Sequence, residues 1–334
     1  MGSKADRNGR AASGEFGLIA RYLAPLARDA AGAFDLLDDA ALLSVPRGVK
    51  LVVTKDALVE GVHFLPGDPP QLLAQKLLRV NLSDLAAKGA RPIAYVMMLA
   101  LPKRDDRFLS AFARGLKADQ RRFGIALIGG DTVKMPGPLT LSVTMFGLVS
   151  RGRMIRRKGA KPGDLVMVTG SIGDAGMGLA CLQGRAPAMG IAARRHFIGR
   201  YHVPQPRVAF GQKLAGLAHA AMDVSDGLVA DLEKLCAASR VGAQLFLDSV
   251  PLSPALTRLA RHKLQIRHDA IQAGDDYEIL FTIPKSRRAS VMRLAETTGV
   301  RVSVIGAITK GGGVSVFDPE NLPVTLPRGG FEHF

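Results

Sequence analysis

The sequence contains no tryptophan, and aromatic residues fill only 5% of its 334 positions. Proteins that stack nucleic-acid bases need aromatic platforms. No such run and no zinc-finger spacing is present, so no specific nucleic acid is expected as a partner. Cys181 and Cys236 are the two cysteines, and neither belongs to a C-x-x-C pair. That excludes a disulfide framework and favours a reducing cytoplasm. No uninterrupted apolar stretch nears the ~18 residues of a membrane span. The longest candidate, residues 93–101, is strand-sized, and no membrane association is expected. Acids are scarce beside bases: 29 Asp and Glu against 45 Lys and Arg, for a formal charge of +16. A chain so charged attracts anions, and the excess fits polynucleotides, small phosphorylated substrates or a plainly solvated basic surface. Several catalytic signatures are also missing. There is no G-x-x-x-x-G-K-S/T loop, no protein-kinase motif set, no H-E-x-x-H and no G-x-S-x-G.

What is present is enough apolar residue, 47%, for packed cores, in a length that suits about two domains. Residues 1–13 carry charge without a following apolar core and are expected to be a flexible basic tail, not a secretory signal. Residues 14–150 read as a first domain and 151–334 as a second, with the basic run Arg151, Arg153, Arg156, Arg157, Lys158 and Lys161 as the approach to it. Apolar spacing of three and four predicts helices over 15–26 (broken near Pro25), 71–88 and 105–123. Strands are predicted over 51–54, 93–101, 125–128 and 139–149. In the second half the reading is strand 164–169, a glycine turn at 170–178 opening a helix, then an irregular stretch. Helix 207–219, strand 220–224, helix 228–238, strand 277–283, helix 285–298 and strand 302–308 follow. This mixture indicates α/β or α+β layering.

The acids carry the functional signal. Asp38 and Asp39 are adjacent, Asp56 follows a strand, Asp84 lies inside an apolar helix, and Asp131 ends a strand in G-G-D. Asp223, Ser225 and Asp226 form D-V-S-D-G at a strand-to-helix junction. Singly, each has a bland reading as a helix cap or an Asx-turn. Jointly the bland reading weakens, because burying several carboxylates costs several kcal/mol each unless cations pair with them. Hard oxygen ligands on separate loops suit Mg²⁺ that bridges phosphates, so the residues point to a multi-Mg²⁺ phosphate site and phosphoryl transfer. The turn at Gly173, Gly176 and Gly178 is a weaker signal, either amides offered to phosphate or a simple tight turn.

In their order along the chain, GEFGLIARYL, LDDAALL, KDALVEGVHF, NLSDLAAKGA, LIGGDT, RKGAKPGD, DVSDGL, GDDYEILF and GGFEHF resemble the thiamine-monophosphate kinase family. That family lies in the ATP-dependent superfamily of aminoimidazole ribonucleotide synthetase. Selenophosphate synthetase, in the same superfamily, would want a reactive cysteine near the N-terminus, whereas the first here is Cys181. The resemblance implies a two-domain α/β fold whose N-terminal strands join a second subunit's in a barrel, so a homodimer. It implies Mg²⁺ ligands at Asp39, Asp56, Asp84, Asp131, Asp223 and Asp226, with Thr54 and Lys55 bordering the same metals. Gly130, Arg157 and Ser225 match ATP contacts, and Asp131, Asp226 and Arg157 would carry the catalysis. His63 and Asp275 match substrate-contacting positions, and Arg328 and Phe331 approach the thiamine rings. Four departures stand out: Leu36-Leu37 where glycines are usual, Lys55 for a small hydroxyl residue, Asp275 for Glu, and Arg328 where some members carry an aromatic.

The implied reaction is ATP plus thiamine monophosphate giving ADP plus thiamine diphosphate. Its nucleophile is a phosphate oxygen, anionic at neutral pH, so no general base is required. The obstacle is repulsion: two unit charges 4 Å apart cost about 4 kcal/mol at an effective dielectric of about 20. Mg²⁺ ions and Arg157 would offset it.

Overall fold

The computed structural model describes residues 14–261 and 263–326. The basic segment 1–13, Arg328 and Phe331 lie outside the described residues. The fold is mixed α/β in two compact units that interleave along the chain. The first takes residues up to Ser44, Lys55–Leu78 and Ile93–Phe146; the second takes Val45–Thr54, Arg79–Pro92 and the chain from Gly147 on. No helix among the described residues is long and apolar enough to cross a membrane.

The first part of the chain opens with α1 (Glu15–Leu18), a π-helical turn (Ile19–Leu23) and α2 (Ala24–Ala27). Pro25 bends this path without ending it. It occupies the first turn of α2, where its missing N–H is harmless, and the preceding wide turn absorbs the ring. Four strands, β1 (Val49–Val59), β2 (Arg91–Leu101), β3 (Ala126–Lys134) and β4 (Thr140–Ser150), make a sheet in the order β1-β4-β2-β3, with β2 and β3 parallel. Helix α3 (Pro70–Ala87) is buried almost all round, Lys76, Arg79, Asn81 and Ser83 included, because its polar side chains find partners in the fold. Helix α4 (Asp106–Phe123) has an ordinary apolar face of Leu109, Phe112 and Leu116, capped by Asp105, whose carboxylate accepts the N–H groups of Arg107 and Phe108.

Strand β3 departs from expectation in a way that matters for the site. It runs on through Gly129-Gly130-Asp131 to Lys134 instead of stopping at 128. Its pairing with β2 jumps from Tyr95↔Leu127 to Val96↔Gly129, leaving Ile128 as a bulge. Gly130 follows at φ +157, and a Cβ there would sit 1.9 Å from the Met97 carbonyl oxygen. Only glycine lets the two strands approach so closely.

The second unit is built on seven strands: β5 (Leu165–Thr169), β6 (Ala220–Asp223), β7 (Gly242–Phe246), β8 (Ile279–Ile283), β9 (Val302–Thr309), β10 (Gly313–Phe317) and β11 (Pro323–Val324). Their order is β11-β10-β7-β9-β5-β8-β6, antiparallel throughout except for β10 beside β7. The helices are α5 (Asp174–Leu182), α6 (Ile191–His202), α7 (Val208–Leu214), α8 (Leu228–Ser239), α9 (Pro254–Ala260), α10 (Leu264–Gln272) and α11 (Arg288–Thr298). Side chains alternate across the sheet. Val166, Val168, Met222 and Leu280 join Leu232 and Leu235 of α8 and Ile271 of α10 in one core. Met167, Ala221, Ile279 and Phe281 join Phe210 of α7 and Val291 and Leu294 of α11 in another. Both faces are therefore covered, which explains strands that are apolar at successive positions.

Helix α6 lies in the stretch expected to be irregular. Only Phe197, Tyr201 and His202 of its twelve residues are buried, too few for a visible 3.6-residue period. Helix α7 ends at Leu214, short of the expected 219, in a turn with Gly216 at φ +89. What docks α6 is Gly178 of α5: a Cβ there would lie 2.2 Å from the Phe197 carbonyl oxygen. In an open helix Gly→Ala stabilises by about 1 kcal/mol. Gly178→Ala is instead expected to destabilise, by about 1–3 kcal/mol through overpacking, read as a lowered urea midpoint by circular dichroism. A raised midpoint would contradict this packing.

Candidate active site

In the first unit a cavity of about 270 Å³ is lined by, among others, Glu15, Asp38, Asp39, Gly130, Asp131 and Thr132. The bulge at Ile128 re-aims the strand so that Gly-Gly-Asp borders this space. The loop carrying the aspartate pair is strained: Phe34, Asp35 and Leu36 have φ of 49°, 54° and 58°. Left-handed backbone costs a non-glycine residue about 1–2 kcal/mol. Asp38 Oδ1 accepts the Asp39 N–H at 2.8 Å, and the Leu42 N–H donates to the Gly32 carbonyl at 2.8 Å, closing the loop.

Alternation along β1 separates residues that are adjacent in sequence. Val52 and Leu58 are buried on one face with Thr54 and Asp56 partly so, while Leu51, Val53 and Lys55 are exposed. The Lys55 ammonium is engaged by Ser142 Oγ at 2.6 Å, and that hydroxyl bonds the Asp56 carbonyl at 3.0 Å. His63 sits in a tight turn after β1. Its Nδ1 accepts the Val59 N–H at 3.1 Å, which makes Nε2 the protonated nitrogen of the neutral ring. Lys76 Nζ donates to the His63 carbonyl at 3.1 Å and fixes the turn.

In the second unit the acids are gathered with cations. Asp84, on α3, accepts a short hydrogen bond from Thr54 Oγ1. Burial, and then the Asp84 carboxylate, hold Asp223 at the end of β6 well above the usual carboxylate range. A Ser83 hydrogen bond and the Lys88 ammonium act the other way. Burial pulls Lys88 below its ordinary value, opposed by Asp223 and Asp84 and reinforced by the Arg157 guanidinium. Lys88 Nζ also donates to the Ala221 carbonyl at 2.9 Å, so its position is fixed beside β6. Asp84, Lys88, Arg157 and Asp223 thus form one electrostatic cluster.

The D-V-S-D-G turn continues this cluster into α8. Buried Asp231 accepts the N–H groups of Ser225 (2.9 Å) and Asp226 (3.0 Å), and Lys234 bridges Asp231 and Asp226. The segment after α10 runs alongside: the Asp275 N–H donates to the Ser225 carbonyl and that of Tyr277 to the Val224 carbonyl, both at 2.8 Å. Asp275 therefore borders the D-V-S-D-G turn, held at φ 70 with the Tyr277 hydroxyl 3.3 Å from its carboxylate. The next acids of the same motif are structural. Asp276 takes the Gly173 and Ala175 N–H groups at 2.6 and 3.3 Å, so the glycine turn at the start of α5 spends its amides on an internal carboxylate and not on a phosphate. Glu278, fully buried, is clamped by Arg207 at 2.5 and 2.6 Å, Arg200 at 3.0 Å and Thr169 at 2.7 Å.

Among the described residues no three His, Cys, Asp or Glu side chains stand close enough to hold a metal ion by themselves. The acids come as an interacting pair, Asp84 with Asp223, and as separate linings of the cavity in the first unit, Asp38-Asp39 and Asp131, all hard oxygens. One or two carboxylates completed by substrate phosphates and water is how Mg²⁺ is commonly held, and two carboxylates pressed together gain from a cation. The residues fit that ion. Sequence reading missed Lys88, Asp231 and Lys234. Two local spacings could have paired them: Asp231 with Lys234, three apart on α8, and Asp84 with Lys88, four apart at the end of α3.

The AIR synthase related protein family matches this chain, its N-terminal domain over residues 37–149 and its C-terminal domain over 161–319. A thiamine-monophosphate kinase of Caulobacter vibrioides is 43% identical over 323 residues, covering 96% of this chain and 90% of that protein. The crystal structure of thiamine-monophosphate kinase from Stenotrophomonas maltophilia K279a is 43% identical, with a TM-score of 0.78 over 84% of this chain and 89% of its own. The structure of AaThiL complexed with AMPPCP and TMP superimposes with a TM-score of 0.76 at 29% identity, over 96% of this chain and 97% of its own. Alike in fold, in motif order and in nearly full-length sequence, the chain belongs to the thiamine-monophosphate kinase family.

Proposed function

We propose that the chain transfers the γ-phosphoryl group of ATP to thiamine monophosphate. A phosphate oxygen of the acceptor bonds to the γ-phosphorus, the bond from that phosphorus to the β–γ bridging oxygen breaks, and ADP leaves as thiamine diphosphate forms. No proton has to be removed from the nucleophile, so positioning and charge neutralisation are the whole task. The observation that carries this reading is the Asp84–Lys88–Arg157–Asp223 cluster beside the Ser225–Asp226 turn, in a chain whose relative AaThiL is complexed with AMPPCP and TMP.

The roles follow the chemistry of each group. Asp39, Asp56, Asp84, Asp131, Asp223 and Asp226 are assigned to Mg²⁺, with Thr54 orienting Asp84 through its hydroxyl. When bound, Mg²⁺ supplies neutralisation of the polyphosphate charge. Lys55, on the other face of β1, borders the metals through Ser142 and the Asp56 carbonyl and is not an oxygen donor. Gly130, Ser225 and Arg157 are assigned to ATP, Arg157 countering charge on the transferring group. His63, through Nε2–H, and Asp275 are assigned to the acceptor. Arg328 and Phe331 are assigned to its thiamine rings on the family resemblance alone.

Residues 14–150 are assigned as the N-terminal ATP- and Mg²⁺-binding and dimerisation domain and 151–334 as the C-terminal α/β domain, which adds Arg157, Asp223, Ser225 and Asp226 to the site. The homodimer is supported by β1, an outermost strand whose Leu51 and Val53 are 37% and 53% exposed, an apolar edge that a monomer would leave open. The reaction belongs to the cytoplasm, a placement supported by two buried, unpaired cysteines.

ADP release is expected only when ATP, thiamine monophosphate and Mg²⁺ are all present. Asp131→Asn and Asp226→Asn are each expected to lower kcat by about 100-fold or more with an unchanged circular dichroism spectrum, and Arg157→Ala to lower it too. Wild-type-like kinetics for either Asp variant at ordinary Mg²⁺ would overturn the metal assignment. Val53→Glu is expected to convert a dimer to a monomer by light scattering; an unchanged mass would remove β1 from the interface.

A further inference from the structure

The turn that carries Asp226 is fastened by two residues to which the reaction assigns nothing. Asp231, on the first turn of α8, gives one carboxylate oxygen to the backbone N–H groups of Ser225 and Asp226. Its other oxygen accepts from Lys234 Nζ at 2.9 Å, and the same ammonium reaches Asp226 Oδ2. Asp231 is sealed from solvent, whereas the Lys234 and Asp226 side chains are 38% and 30% exposed. The two halves of this bridge are therefore unequal. The Asp231 half lies against a buried carboxylate, and the Asp226 half is open to ions from solution.

An ammonium and a divalent cation seek the same thing from Asp226, a lone pair on a carboxylate oxygen. Lys234 can release Asp226 without being left unpaired, because its bond to Asp231 remains. We propose that Lys234 is a built-in counter-ion of Asp226 that competes with Mg²⁺, and so sets the metal concentration at which this part of the site fills. The proposal rests on the assignment of Asp226 as a metal ligand. A purely structural Lys234 makes the opposite prediction: its loss would loosen the 223–226 turn and weaken metal binding.

The test is Mn²⁺ binding to the full chain without nucleotide, read as the free-ion signal by electron paramagnetic resonance. Lys234→Met is expected to bind Mn²⁺ up to about fivefold more tightly, the range of a partly exposed ion pair. Lys234→Gln, which keeps a donor for Asp231, moves the same way and serves if the Met variant does not fold. Lys234→Arg stays near wild type, and so does Lys213→Met, which removes the same charge from an exposed position on α7. Unchanged or weaker binding in a folded Lys234→Met or Lys234→Gln overturns the proposal. Asp226→Asn separates the two layers. If it binds Mn²⁺ as wild type does, the ligand assignment falls and the proposal with it. If it binds weakly while the Lys234 variants match wild type, only the counter-ion role falls.

Discussion

Carboxylate charge held away from water is the constraint around which the rest of this protein is arranged. Asp223 and Asp231 are buried, and neither would remain so without compensation. The compensation comes from within the chain: Lys88 and a Ser83 hydrogen bond at Asp223, and Lys234 beside Asp231 and Asp226. The two cations are placed by different elements, Lys88 in the turn after α3 and Lys234 on α8. The covered seven-stranded sheet keeps β6 and α8 in register with one another, and the glycine at 227, φ +121, allows the chain to turn between them.

Much of this was legible in the residues, and the illegible parts have identifiable causes. Helices over 71–88 and 105–123 announced themselves by apolar spacing, although α3 is buried on nearly every side and α4 on one. The two differ in what surrounds them, and spacing does not report surroundings. Strand β3 was cut short in the reading because Gly-Gly normally marks a turn. Here the glycines mark a bulge and a close approach to Met97. Helix α6 escaped because it docks through few side chains and through a glycine on its neighbour. The acids drew notice as a set because acids inside apolar runs are unusual, and the structure sets Asp84 against Asp223 and lines one cavity with Asp38, Asp39 and Asp131. The counter-ion Lys88 did not, because it is remote in sequence from Asp223 and looks like any other base of a chain with 45 of them.

The loop before Asp38 and Asp39 departs from ordinary backbone. Phe34, Asp35 and Leu36 all adopt the left-handed conformation. Strain of this kind is maintained by neighbours: Leu36 packs against a small cluster that includes Ala27, Ala33, Ala94 and Ile128. Ile128 is also the bulge residue of β3. The segments that carry the two acidic walls of the cavity, Asp38-Asp39 and Asp131, thus share one apolar cluster.

The central claim is that these carboxylates are seats for divalent ions whose charge the chain's own cations offset beforehand. A crystal structure of the protein grown with Mn²⁺ and a non-hydrolysable ATP analogue tests it most directly through anomalous scattering. The account predicts peaks at metal–oxygen distance, about 2.0–2.3 Å, from Asp84 and Asp223 and from Asp226. Analogue bound with no anomalous peak near any of these three residues would contradict it.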